Sequence, residues 1–83
     1  MHYRLDYRRE AQAALKAMSP DIAGRVTRKI ERMCNDLAGD VKRLTEMSPA
    51  YRLRVGDWRV LFEVEGDMIV VHDVKHRSKA YER

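Results

Sequence analysis

A single cysteine, Cys34, in 83 residues rules out an intramolecular disulfide and any cysteine-rich metal site. No apolar run approaches the length of a membrane span, and the start Met1-His2-Tyr3-Arg4-Leu5-Asp6 lacks the apolar stretch of a signal peptide. Repeats and low-complexity segments are absent, and no spacing of His, Cys, Asp and Glu suits a metal ion. These absences set the expectation of a soluble, cytoplasmic protein in a reducing compartment, needing no cofactor. Length limits the fold as well. At 83 residues the chain holds one domain, 1–83. A chain of this size buries roughly 60–65% of its unfolded surface, enough for one layer of helices on one sheet.

What the sequence does hold is positive charge: 17 Lys and Arg against 13 Asp and Glu, a net +4 and a pI near 9.5. Such a balance favours polyanionic partners. Placement is more telling than the total, because Arg52, Arg54, Arg59, Lys75, Arg77, Lys79 and Arg83 all fall in the hairpin region and the C-terminus. The first half reads differently. Tyr3 to Tyr7 alternates weakly as a short strand, and Ala11, Ala14, Leu15 and Met18 then fall at helical spacing, with Asp6 as the expected cap. Ser19-Pro20-Asp21 supplies an N-cap, a first-turn proline and an acid facing the helix dipole. A second helix is predicted to run to Leu37 or Ala38 on the stripe Ile22, Val26, Ile30, Met33 and Leu37, with Gly39 ending it. Gly39 to Ala50 reads as a connection.

The segment Tyr51-Arg52-Leu53-Arg54-Val55-Gly56-Asp57-Trp58-Arg59-Val60-Leu61-Phe62 alternates on both sides of Gly56-Asp57, the pattern of a two-residue type II′ hairpin. That turn predicts Val55 opposite Trp58, Leu53 opposite Val60 and Tyr51 opposite Phe62 on a core face. Arg54 then falls opposite Arg59 on the other face, with Arg52 beside them. Like charges directly opposed cost about 0.2–1 kcal/mol per pair, so their gathering points to an anion. After Glu65-Gly66-Asp67, Met68 to Val74 reads as a central strand returning toward Arg54 and Arg59. A two-residue and a three-residue loop put His72 on opposite sides, and the sequence leaves both open.

Arg52, Arg54, Arg59 and Arg77, with Lys75, His76 and Tyr81 nearby, have the parts to hold a phosphodiester. Their forks bind phosphate in bidentate fashion and stabilise charge developing at phosphorus. On an RNA substrate the 2′-hydroxyl is its own nucleophile, and the protein need only align it and manage two protons. Plainer readings stand beside these. Arginines on an edge strand also deter aggregation; His72 reads as an ordinary strand residue, Arg25, Arg28, Lys29 and Arg32 as a solvated helix face, and Cys34 as a small buried apolar group.

The hairpin segment, followed by His76-Arg77 and Tyr81, resembles toxins of the RelE/ParE superfamily, over nearly the whole chain. The resemblance implies an α+β fold: an N-terminal strand, a helical hairpin and a three-stranded antiparallel meander, one small sheet with two helices packed on it. In the RelE branch it implies a metal-independent endoribonuclease that cuts mRNA in the ribosomal A site by 2′-hydroxyl attack, inhibiting translation. By position, Arg52 and Arg54 take the place of the strand's basic pair, Arg59 stabilises the transition state, Arg77 serves as the acid, and Tyr81 stacks on or positions a base. Lys75, His76 and Lys79 are the expected RNA contacts. The best-known RelE pattern has lysines where this chain has Arg52 and Arg54. Arginine stays protonated, so proton abstraction falls to Tyr81, His76 or solvent. The ParE branch, which inhibits DNA gyrase by binding, is the alternative, and a non-catalytic RNA-binding module is a third. Either toxin branch implies a cognate antitoxin whose amphipathic segment folds onto the basic face, and contact with DNA only through that complex.

Overall fold

Every expected pairing of the arginine hairpin is present in the computed structural model, which describes residues 1–80. The elements in order are β1 (Arg4–Tyr7), α1 (Arg9–Ala17), α2 (Pro20–Met33), β2 (Asp40–Arg43), β3 (Tyr51–Val55), β4 (Trp58–Glu65) and β5 (Met68–His76). They form a five-stranded mixed sheet in the order β1-β5-β4-β3-β2, with β1 parallel to β5 and every other pair antiparallel. The fold is α+β as expected, with one strand more. β2 lies at an edge within the stretch read as a connection, and three of its four residues are exposed.

Alternation along the strands divides the sheet into two faces. One buries Leu53, Val55, Val60, Phe62, Ile69, Val71 and Val74 against Ala11 of α1 and Val26, Ile30 and Met33 of α2. The other carries Arg52, Arg54, Arg59 and Lys75. Leu61, Val70 and Ala80 are also buried, yet they stand apart from that core cluster, so the open face has a small apolar patch of its own.

Two local readings require correction. Asp6 does not cap α1: the N-cap is Arg8, with no side-chain cap, and its N–H donates to the carbonyl of Val71 on β5, anchoring the helix start to the sheet. α2 ends at Met33 rather than at Leu37 or Ala38, because Asp36 and Leu37 take positive φ (55° and 58°) and leave the helix. The chain's first residues use the freed groups, with Tyr3 N–H donating to Cys34 O and Asp36 N–H to Met1 O. Ser19 caps α2 as expected, its Oγ accepting from Ile22 N–H at 3.4 Å.

Both hairpins close with two-residue turns. Gly56 and Gly66 take φ of 58° and 62°, while the aspartate after each stays out of that region, the type II′ pattern. β5 nevertheless changes parity, since Phe62 pairs with Val71 and Leu61 with Asp73, leaving His72 as the extra residue of a β-bulge. The bulge brings Lys75 opposite Arg59 and His76 opposite Trp58. Without it those two side chains would exchange faces.

Candidate nucleic-acid interface

Neighbouring positions Asp40, Arg54, Arg59 and Lys75 form a row across β2, β3, β4 and β5 on the open face. Arg54 is exposed and Lys75 half-buried. A second row, Lys42, Arg52, Leu61 and Asp73, runs beside it. β2 therefore adds a counter-charge that the sequence did not reveal. Arg52 Nη1 donates to the Asp40 carbonyl at 2.6 Å and to its Oδ1 at 3.0 Å, and the Arg52 side chain is 14% exposed. Arg52 is thus held within the protein, in contrast to Arg54.

The hydrogen bond from Arg52 holds the Asp40 carboxyl below the usual carboxylate range, and the charges of Arg52, Arg54 and Arg59 add to this against a desolvation that acts the other way. Because the folded-state pKa is depressed, whatever the pair contributes to stability is present above the unfolded pKa and fades as pH falls through the folded value. A carboxyl NMR titration should place the Asp40 midpoint below 3.8. In Arg52→Ala that midpoint should move back toward 3.8; an unmoved midpoint would exclude Arg52 as the cause.

Arg59 and Arg77 meet at the Gly56-Asp57 turn. Arg59 Nη1 donates to Gly56 O at 2.8 Å and to Trp58 O at 3.0 Å. Arg77 N–H donates to Asp57 O at 2.7 Å, and its Nε lies 3.8 Å from Asp57 Oδ1. Both guanidiniums are tied to one two-residue turn, although they come from β4 and from beyond β5. Lys79 is exposed in the tight turn that follows, its N–H donating to His76 O. His76 is not on the cationic face. It meets Trp58 edge-on at 5.5 Å and lies 3.0 Å from Ser78 Oγ through Nδ1, so it stands apart from Arg54 and Arg59. Tyr81 lies outside the described residues.

Beside the cation row is a cavity of about 380 Å³. Leu61 and Ala80 line it along with Leu44, Met47 and Pro49 of the β2–β3 loop, and Glu10, His72, Asp73 and Lys75 supply polar groups. The loop is pinned where Leu44 N–H donates to Ala50 O and Ala50 N–H to the Glu63 carboxylate. Sequence reasoning passed over this cavity because its walls come from a loop, a bulge and a helix start. Elsewhere, burial pushes the Tyr7 hydroxyl up to about 12, with the charges of Glu31 and Cys34 adding to it, and burial also raises the Cys34 thiol. Neither group reaches the cationic face. No helix is long and apolar enough to cross a membrane among the described residues.

Residues 5–81 match the family model described as ParE toxin of type II toxin-antitoxin system, parDE. A 48-residue stretch is 42% identical to Toxin RelE3 of Methanocaldococcus jannaschii, covering 58% of this chain and 54% of that protein. The chain thus spans about half the length of this curated relative. Among solved structures, the RelB-RelE antitoxin-toxin complex from Methanococcus jannaschii is 30% identical with a TM-score of 0.74, over 92% of this chain and 94% of that one. The archaeal RelE-RelB complex from Pyrococcus horikoshii shares the fold, with a TM-score of 0.78 and 24% identity over 96% of this chain and 100% of that one. The chromosomal ParDE system of P. aeruginosa shares it too, at 0.68 and 16% over 89% and 95%. By its family model and its likeness to the RelE structure, the chain belongs to the RelE/ParE superfamily, as a RelE-like toxin of a type II toxin–antitoxin system.

Proposed function

We propose that the protein is a ribosome-dependent mRNA endoribonuclease, and that the row Arg54, Arg59 and Lys75 holds the scissile phosphate. The observation that carries this reading is the alignment of three cations from three adjacent strands on one open face. In the reaction the mRNA 2′-oxygen attacks phosphorus and the bond to the 5′-oxygen breaks, leaving a 2′,3′-cyclic phosphate and a 5′-hydroxyl. Arg54 and Arg59 offset the charge that grows on the phosphoryl oxygens. Arg77, whose Nε lies 3.8 Å from the Asp57 carboxylate of the turn that also holds Arg59, faces the leaving 5′-oxygen and, as the acid, supplies the proton that makes it a hydroxyl, and Lys75 and Lys79 follow the backbone. Arg52 acts through Asp40, holding the edge strand and keeping that carboxylate away from the phosphate. With His76 turned toward Trp58, the 2′-hydroxyl proton passes to Tyr81 or to solvent. The relatives solved with antitoxins support a cognate antitoxin as partner, its segment covering the cationic face.

A second reading is favoured by one specific finding, that the matching family model is the ParE toxin. On that reading the same face inhibits DNA gyrase without chemistry. Primer extension on mRNA under translation in a reconstituted system, run beside a gyrase supercoiling assay, separates the two. Cuts inside ribosome-occupied codons with normal supercoiling support the nuclease; intact mRNA with arrested supercoiling overturns it.

A further inference from the structure

We propose that the cavity bounded by the β2–β3 loop and the β5 bulge is a nucleobase pocket, reading the base attached to a phosphate held on the cation row. The inference rests on the proposal that the ligand is RNA, and it assigns the part of that ligand that enters the cavity. At about 380 Å³ the cavity falls at the small end of ligand pockets. Leu44, Met47 and Leu61 give it apolar surface against which a flat ring can pack, and Glu10, His72 and Asp73 give it hydrogen-bonding groups at the edge.

Two features favour a base over a second phosphate. Glu10 and Asp73 outnumber Lys75 on the lining and would repel an anion, whereas their carboxylates accept from the N–H groups on a base edge, Asp73 through the oxygen not already taken by Val74 N–H. Leu61 stands two residues from Arg59 on β4, and Asp73 two from Lys75 on β5, so the pocket floor lies about 7 Å along the strands from the cation row. Phosphate and base of one nucleotide then occupy adjacent sites.

His72 adds an independent sign. As the bulge residue it is the one position of β5 not paired with β4, and its Nε2 is sealed from solvent with no hydrogen-bond partner among the described residues. A buried polar atom left unpaired is costly, and a bulge is a device for re-aiming a side chain. Because Nε2 is closed off from the cavity as it stands, the imidazole must rotate toward an entering base to recover that hydrogen bond.

The test is a titration of the full chain, labelled at Met and Leu methyls and at the imidazole carbons, with the four nucleoside 5′-monophosphates, ribose 5-phosphate and inorganic phosphate. Shifts of Met47, Leu44, Leu61 and His72 with the nucleotides but not with ribose 5-phosphate are expected. Glu10→Gln, on an exposed helix start, should weaken nucleotide binding about five-fold while leaving ribose 5-phosphate binding unchanged. His72→Phe, which keeps a ring, should weaken it similarly. Equal shifts with nucleotides and ribose 5-phosphate, or full nucleotide affinity in both variants, would overturn the pocket. The result is independent of ribosomal cleavage: base binding without mRNA cuts sinks the nuclease reading alone, and cuts without a pocket response sink the pocket alone.

Discussion

Arg59→Ala should lower cleavage of ribosome-bound mRNA by about 10²–10³-fold, the usual effect of removing one preorganised group that meets developing charge. Its structural cost should be small. The side chain's two visible partners are the carbonyls of Gly56 and Trp58, at the tip of an exposed hairpin where water can replace the donor. Loss of such bonds is worth about 0.5–1.5 kcal/mol, which for a domain of this size lowers Tm by about 2–12 °C. Growth arrest, primer extension and thermal unfolding of the variant check both halves together. Lost cleavage with a Tm drop in that range places Arg59 in the chemistry. A variant that fails to fold would show instead that the arginine is a brace for the turn, and Arg54→Ala would then become the decisive substitution, since Arg54 is exposed on the same row. Arg59→Lys adds a further distinction. It keeps the charge but loses the fork, so partial activity indicates a point charge and near-complete loss indicates bidentate phosphate contact.

The cation row was legible in the sequence because a two-residue turn fixes register without help from the rest of the fold. Gly56-Asp57 placed Arg54 against Arg59, and the pairing is as read. The second hairpin could not be read the same way, since a bulge at His72 shifts parity midway and nothing in Val70-Val71-His72-Asp73 marks it. That shift is why Lys75 joined the row and His76 left it. β2 was hidden by its own chemistry: Asp40-Val41-Lys42-Arg43 has one apolar side chain, as suits an edge strand exposed on one side. With β2 unseen, the arginines read as uncompensated, whereas Asp40 partly neutralises them. α2 was overextended because Leu37 continued the apolar stripe in sequence, while in the fold it reaches the core from a positive-φ turn. Gly39, φ 117°, then returns the chain beneath the sheet edge, where an added Cβ would lie 3.0 Å from Leu53 Cδ1.

The substitution with the largest effect on the fold should be Phe62→Ala. Phe62 is fully buried, stacks on Tyr51 at 5.4 Å with an interplanar angle of 21°, and pairs with Val71 immediately beside the bulge. Emptying such a site typically costs about 3–5 kcal/mol. A domain of this length has on the order of 4–12 kcal/mol to lose, so the variant should be marginal or unfolded at 37 °C. Urea unfolding checks this, with Phe62→Leu as the milder comparison, since it removes fewer buried atoms and leaves a smaller cavity. The two variants should also separate fold from function. Phe62→Leu keeps the strand pairing that holds Leu61 and Asp73 on the open face, so its mRNA cleavage should stay near that of the parent protein. If Phe62→Leu instead lost cleavage while unfolding near the parent's urea midpoint, the bulge beside Phe62 would have shifted, and the geometry of the open face would depend on the core more closely than the sheet register implies.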